Sequence, residues 1–329
     1  MPSLMGIDVG AGVAGNNLFI DDILSPSMVA AACALFGLLI GSFLNVVIWR
    51  VPRGESVVKP GSHCPTCNTA LGALDNVPLL SWLILRGRCR HCAVRIPVRY
   101  PAVELVTAAI FAVIGSRFYD SWAIFGYLVL GAGLLALSVI DLDHMLLPNK
   151  VIFPTAAIVV VLLGVASVAT GDYGQLGRAA LCGLIDFAIF YLIWFIAPGA
   201  MGFGDVRLSA LLGFALGWIS WSALWTGMFL PFVLGTIVGI AIAAPLVLVP
   251  MFAGAALAWL KGVELLTGIT GTAPQDPSRS RIAVSVGAAV MGGAIAYLVL
   301  AMIGRVDRGK QIPFGPYLAS GALIAVVAL

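Results

Sequence analysis

Apolar residues fall into long uninterrupted runs along this chain. They are interrupted by one polar stretch between residues 50 and 100 and by short turns such as GSRFYD and TGDYGQ. A helix needs about 20 apolar residues to cross a bilayer, and the runs are close to that length. The first predicts a helix over 28–49 that ends in GSFLNVVIWRVPR; others fall near 102–118, 122–142, 150–170, 178–198, 206–224 and 226–244. From 228 to 262 the apolar stretch is too long for one ordinary span and contains Pro231, Pro245 and Pro250. Proline breaks or kinks a helix, so a break near Pro245 predicts a further span at 248–265. A polar loop TGTAPQDPSRSR, a span at 282–303, the basic turn RVDRGK and a last span at 313–329 follow.

Composition fixes the class. The 329 residues are 61% hydrophobic and 10% charged, against about 25% charged in a soluble domain. The expectation is an all-α polytopic membrane protein, a bundle of about 8–10 transmembrane helices with a small polar subdomain after the first. The net charge of +3 gives no reason to expect a nucleic-acid surface. Its distribution is more telling, because Arg50, Arg53, Lys59, Arg86, Arg88, Arg90, Arg95 and Arg99 all lie in the one polar segment. Basic loops stay in the cytoplasm, which puts residues 50–100 there. The first 25 residues carry Asp8, Asp21 and Asp22 and no Lys or Arg. That charge does not suit the n-region of a signal peptide, so the N-terminus is expected outside, with the first helix retained.

The polar segment contains CPTC and CRHC, that is Cys64, Cys67, Cys89 and Cys92, with 21 residues between the pairs. Two such knuckles suit a tetrahedral four-thiolate zinc site. A reducing compartment disfavours two disulfides, and a redox CxxC usually comes singly. His63 and His91 flank the knuckles, but four thiolates already close a structural site and leave no open position for catalysis. Cys33 and Cys182 lie in apolar runs and read as small buried residues. Between the knuckles, LGALDNVPLLSWLILRG is apolar enough to lie on the membrane surface or against the helices.

Ionisable groups at membrane depth are costly, and function is the default explanation for them. Asp141 and Asp143 end one run in IDLDH, and Asp205 opens another in MGFGD; Asp186 and Glu104 are further candidates. Gly202 and Gly204 permit close approach of a backbone to Asp205. Two carboxylates held together cannot both ionise, so one keeps a proton while the other activates water. Residues two apart on a helix point about 200° away from each other, so only one of Asp141 and Asp143 is expected to face Asp205, with the other supporting it.

GSFLNVVIWRVPR, the paired knuckles, IDLDHMLLPN, GFGDVRL and QIPFGPYLASGAL, in this order from residue 41 to the C-terminus, together resemble the prepilin peptidases. The resemblance implies a GxGD-type intramembrane aspartyl peptidase of the bacterial inner membrane. Such an enzyme would remove the basic leader of type IV prepilins or pseudopilins after a glycine at the cytoplasmic face. It also implies that the new N-terminal residue is methylated with S-adenosylmethionine. The family's catalytic aspartates fall on Asp141 and Asp205, with Asp143, Gly202, Gly204 and Arg207 in support. Asn149 stands where the family usually has aspartate and Arg207 where lysine is common. No glycine-rich nucleotide loop after a strand is visible, so residues binding S-adenosylmethionine stay unassigned.

The expected organisation is an extracytoplasmic N-terminus (1–27), a first transmembrane helix (28–49) and a cytoplasmic four-cysteine zinc segment (50–100). A catalytic transmembrane core (101–244), an inserted hairpin and loop (245–282) and C-terminal transmembrane helices (283–329) complete it. The competing readings are a peptidase without methyltransferase activity, a proton-coupled transporter using the same carboxylates, and a zinc scaffold without catalysis. The transporter reading is weakened by the lack of a visible internal repeat, which many transporters carry.

Overall fold

The computed structural model describes residues 25–64, 66–197, 201–243 and 315–328. Among them every regular element is a helix, and the only β pairing is two isolated bridges, His63 with Ala70 and Arg88 with Arg95. The helices are α1 (Pro26–Arg50), α2 (Leu80–Ile84), α3 (Arg99–Arg117), α4 (Ile124–His144) and α5 (Asn149–Thr170). They continue with α6 (Tyr173–Ile196), α7 (Phe203–Ile219), α8 (Trp221–Ala243) and α9 (Gly315–Ala328). Five of the described helices, α1 and α3 to α6, are long and apolar enough to cross a membrane, and α9 is apolar but shorter. The all-α membrane class is borne out. The expected spans at 248–265 and 282–303, the turn 305–310 and most of the N-terminal segment lie outside the described residues.

Two tight helix pairs frame the molecule, α1 with α3 and α6 with α7. Both use glycines four apart. A Cβ at Gly37 would lie 2.8 Å from Ala108 Cα and one at Gly41 2.7 Å from Glu104 Cα. On α7, a Cβ at Gly213 would come 2.6 Å from Asp186 Cβ, and one at Gly217 would overlap Cys182. Lipid tails are as apolar as leucine, so helices in a bilayer gain from such close backbone approach rather than from oil leaving water. Among the five candidate spans the most enclosed is α4, with Tyr127, Leu134, Ala136 and Ile140 fully buried. The Tyr127 hydroxyl donates to Ala215 O of α7 at 2.8 Å.

The apolar run expected to break near 225 breaks instead at Ser220, between α7 and α8. Hydropathy cannot see this turn because apolar residues flank it on both sides. Hydrogen bonding shows why it forms: the Ser220 hydroxyl accepts from Ala223 N at 3.0 Å, as an N-cap does. From α6, the Arg178 guanidinium donates to the carbonyls of Gly217, Trp218 and Ile219 at 2.7, 2.8 and 3.0 Å. A cation on the last carbonyls of a helix satisfies them and complements its dipole. At the same end the Trp218 indole donates to the Ser167 hydroxyl of α5 at 2.8 Å. With its C-terminal end fixed in this way, α7 presents its N-terminal end, and Asp205, at a defined place.

The polar segment is anchored by a side chain of α1. Arg50 is buried and donates to Ser56 O, Pro60 O and Gly61 O at 3.1, 2.7 and 3.2 Å. One arginine thereby organises the chain leading into the first cysteine knuckle.

Candidate active site

Asp141 lies in the last turn of α4, which closes with Met145 in the left-handed region and its N–H on Asp141 O at 2.8 Å. Its side chain is buried, and Oδ2 accepts from the backbone N–H of Gly315 at 2.9 Å. Gly315 opens α9, so a carboxylate meets the positive end of a helix. A Cβ at Gly315 would sit 2.7 Å from that Oδ2, so the contact requires glycine.

Asp205 is the third residue of α7 and equally buried. Its Oδ2 accepts from Gly202 N at 3.2 Å, while Asp205 N donates to Gly202 O at 3.1 Å. Oδ1 has no hydrogen-bond partner among the described residues. Buried polar atoms are nearly always paired, and an orphaned one needs an explanation such as water or catalysis. The two aspartates share a neighbourhood built around Leu147, from the turn after α4. A Cβ at Gly204 would touch Leu147 Cβ at 2.8 Å, and one at Gly315 would reach Leu147 Cδ2 at 3.2 Å.

The other expected residues go elsewhere. Asp143 turns away and pairs with Arg99 at the start of α3, 2.5 Å apart. Gly202 is the N-cap of α7, and Gly204 faces Leu147. Arg207, two residues past Asp205, leaves on another face of α7; its Nη1 donates to Asn149 Oδ1 at 2.6 Å and its guanidinium lies 4.6 Å over the Phe203 ring. The two departures from the family pattern, Asn149 and Arg207, therefore contact each other. An apolar groove of about 320 Å³ between α5, α6 and α7, with Arg207 on its rim, lies on this same side rather than between the carboxylates. Asp186 is buried beside Gly213, about two turns along α7 from Asp205. Glu104 accepts from Leu79 N at 2.8 Å, which makes it a tie to the polar segment.

Sequence reasoning singles out the segments containing Leu147, in IDLDHMLLPN, and Gly315, in QIPFGPYLASGAL, but gives neither residue a role. The signal available for Gly315 is Gly-Pro at the head of an apolar run. For Leu147 the signal is its place in IDLDHMLLPN, two residues before Asn149 and six after Asp141.

The four cysteines come together, their Sγ atoms all within 4.8 Å of one another and Cys64 and Cys92 at 3.8 Å. A tetrahedron with Zn–S of about 2.3 Å has S···S edges of about 3.8 Å, so the cage is the right size. The knuckles repeat one local structure. Cys64 N donates to Thr69 O at 3.0 Å and Asn68 N to Cys64 O at 2.9 Å; Cys89 N donates to Val94 O at 2.9 Å and Ala93 N to Cys89 O at 3.0 Å. Asn68 and Ala93 occupy the same left-handed position, φ 57° and 56°. The Thr69 hydroxyl and N–H hold the Cys67 thiol down to about 6, and the N–H groups of Cys92 and His91 lower Cys89. Against the Val94 N–H, burial and hydrogen bonds to the other three thiols push Cys92 up to about 12, as crowded sulfurs do without a cation between them. Thiolates are what a metal binds. His63 spends Nδ1 on Gly61 O at 3.0 Å.

Two family models match the chain. One, described as the bacterial peptidase A24 N-terminal domain, matches residues 35–118, and the other, the type IV leader peptidase family, matches residues 128–259. A prepilin leader peptidase/N-methyltransferase of Aeromonas salmonicida (strain A449) is 35% identical over 238 residues, 63% of this chain and 79% of the relative. A protein of the same description from Myxococcus xanthus (strain DK1622) is 39% identical over 211 residues, 63% of this chain and 61% of its own length. The type 4 prepilin-like proteins leader peptide-processing enzyme of Escherichia coli O78:H11 is 40% identical over 219 residues, 59% of this chain and 80% of its own length. No solved structure matches.

Proposed function

Because the chain belongs to the type IV leader peptidase family, we propose that it is an intramembrane aspartyl endopeptidase acting through Asp141 and Asp205. Its substrates are prepilins or pseudopilins, cut after a glycine where the basic leader meets the apolar helix. The observation that carries this reading is the pair of buried carboxylates at adjoining helix ends, with Asp205 Oδ1 left free for a water.

In the proposed reaction the two carboxyl groups share one proton, as close like charges require. The ionised group takes a proton from water as the water oxygen attacks the scissile carbonyl carbon. The protonated group hydrogen-bonds the carbonyl oxygen and then passes its proton to the departing amine nitrogen. The Gly315 N–H fixes Asp141, and the Gly202 N–H fixes one oxygen of Asp205. Both amides are preorganised, so they need little reorganisation as charge moves.

Cys64, Cys67, Cys89 and Cys92 would hold a zinc ion. With four thiolates it would be closed to substrate, and its contribution is to fold the cytoplasmic segment. The Aeromonas salmonicida and Myxococcus xanthus relatives are described as N-methyltransferases too, and we extend that activity to this chain with S-adenosylmethionine as methyl donor. No residue set among those described fits a nucleotide loop, so no methyl-transfer step is assigned to side chains. The active site and basic segment face the cytoplasm of a bacterial inner membrane.

The test is co-expression with a prepilin and mass spectrometry of the mature N-terminus, which reports both the cut and any methyl group. Complete leader removal by Asp141→Asn or Asp205→Asn would overturn the aspartyl reading.

A further inference from the structure

The segment between the knuckles holds a structural feature that neither the zinc nor the peptide chemistry uses. Leu80, Leu83 and Ile84 of α2 are 57%, 61% and 74% exposed, and the preceding Leu74 is 77% exposed. Positions i, i+3 and i+4 lie on one helix face, so the apolar side chains form a ridge pointing away from the protein. Trp82, on the other side, folds inward: its Nε1 donates to Ile96 O at 3.2 Å, and a Cβ at Gly87 would touch its ring at 2.9 Å. α2 is therefore packed on the second knuckle by one face and bare on the other.

A second observation fixes how deep this ridge sits. Leu79 N, just before α2, donates to Glu104. Glu104 is five residues inside α3 from Arg99, about 7.5 Å along the helix. The same carboxylate meets Ser42, two turns inside the end of α1. The chain entering α2 is thus tied to α1 and α3 at a level inside the ends of those helices at Arg50 and Arg99. Directly after it, Arg86 and Arg88 are exposed, as is Arg95. The ion pairs of the described residues are Arg90 with Asp75 and Arg99 with Asp143, so these three arginines have no carboxylate partner among them.

We propose that α2 is an interfacial membrane anchor, with Leu80, Leu83 and Ile84 entering the acyl boundary of the cytoplasmic leaflet and Arg86 and Arg88 meeting anionic phospholipid headgroups. Apolar faces flanked by arginine bind interfaces in this way, and basic groups add attraction to an anionic leaflet. The depth set by Glu104 favours lipid over a protein partner, because a ridge at that level already faces the bilayer. The anchor also accounts for Glu104, whose carboxylate holds the cysteine segment down against the membrane. This inference does not rest on the peptidase reading.

The test uses the full-length protein with Leu83→p-benzoylphenylalanine, reconstituted in nanodiscs of phosphatidylcholine alone or with roughly a quarter phosphatidylglycerol. Irradiation should add a phospholipid mass to the peptide carrying residue 83. The yield should rise several-fold with phosphatidylglycerol, and Arg86→Gln with Arg88→Gln should remove that rise. Ile84→p-benzoylphenylalanine, on the same ridge, serves if the first variant does not fold. Adducts only to the protein itself, or only to a co-reconstituted prepilin, would overturn the anchor. Equal lipid yields in the two compositions would overturn the anionic-headgroup assignment.

Discussion

The cysteine site and the carboxylate site are built in opposite ways. From Cys64 to Cys92 a short piece of chain makes two copies of one knuckle, each closed by its own backbone hydrogen bonds, and brings four sulfurs together near the surface. The carboxylate site has no local unit. Asp141 comes from the end of α4, Asp205 from the start of α7, and the amide on Asp141 from the start of α9, more than 170 positions later in the chain. A locally closed site requires a metal to neutralise its thiolates, and its energy goes into folding. A site assembled from distant helix ends depends on the whole bundle for its geometry. Preorganisation on rigid elements is what catalysis needs, so the two sites are expected to fail differently.

The sharpest way to break that contrast is to neutralise each aspartate. Asp141→Asn and Asp205→Asn should each lower the initial rate of leader removal by roughly 10³-fold or more, given the usual 10²–10⁴-fold worth of a general acid or base. Protein level and zinc content should stay at the wild-type value. A parallel loss of zinc would mean that the two sites are not independent.

Cysteine substitutions should show the reverse pattern. Cys64→Ser or Cys89→Ser should remove the metal and lower the amount of protein in membranes several-fold, because a three-thiolate cage leaves the segment under-folded. Activity per folded molecule should change less than about tenfold, far below the loss at the aspartates. Metal analysis beside quantitative immunoblotting checks this. A stable, metal-free protein whose turnover is abolished would instead make the cysteines part of the chemistry.

Gly315→Ala sharpens the comparison further. The added methyl meets Asp141 Oδ2 at 2.7 Å, so the carboxylate must turn from its amide. The expected cost is about 10- to 100-fold in kcat, since misplacement of about 1 Å costs on that order. Thermal unfolding should move little by comparison. Unchanged kcat would show that the α9 amide is not part of the working geometry.

These differences also explain what could be read from the chain itself. The knuckles were legible because ligand spacing is local, and most helices were legible because apolar length is local. The α7–α8 break at Ser220 was not, because no change in hydropathy marks it and the carbonyls it leaves are satisfied by Arg178 from α6. Leu147 and Gly315 matter through contacts that only the folded bundle creates. Glu104, which looked like a chemical group because it is an acid at membrane depth, is a backbone tie for Leu79. The periodicity argument separating Asp141 from Asp143 follows from helix geometry alone, and the structure puts the first in the core and the second on Arg99.

That last pair gives the smallest expected effect and the most direct probe of whether the two regions communicate. Arg99 ends the cysteine segment and opens α3, while Asp143 is the penultimate residue of α4, so their ion pair joins the regions. Both side chains are partly exposed, 41% and 35%, and exposed pairs contribute about 0.2–1 kcal/mol. Asp143→Asn should therefore change leader removal by no more than a few-fold and leave zinc content unchanged. High salt should reduce even that difference by screening the pair. Activity abolished as completely as in Asp141→Asn would reassign the catalytic role to Asp143. It would require the last turn of α4 to unwind when substrate enters, since in the folded helix the two carboxylates point about 200° apart. A loss in Asp143→Asn that is restored by Arg99→Gln would instead assign it to the unpaired arginine, and so to a connection between cysteine segment and active site stronger than one surface ion pair supplies.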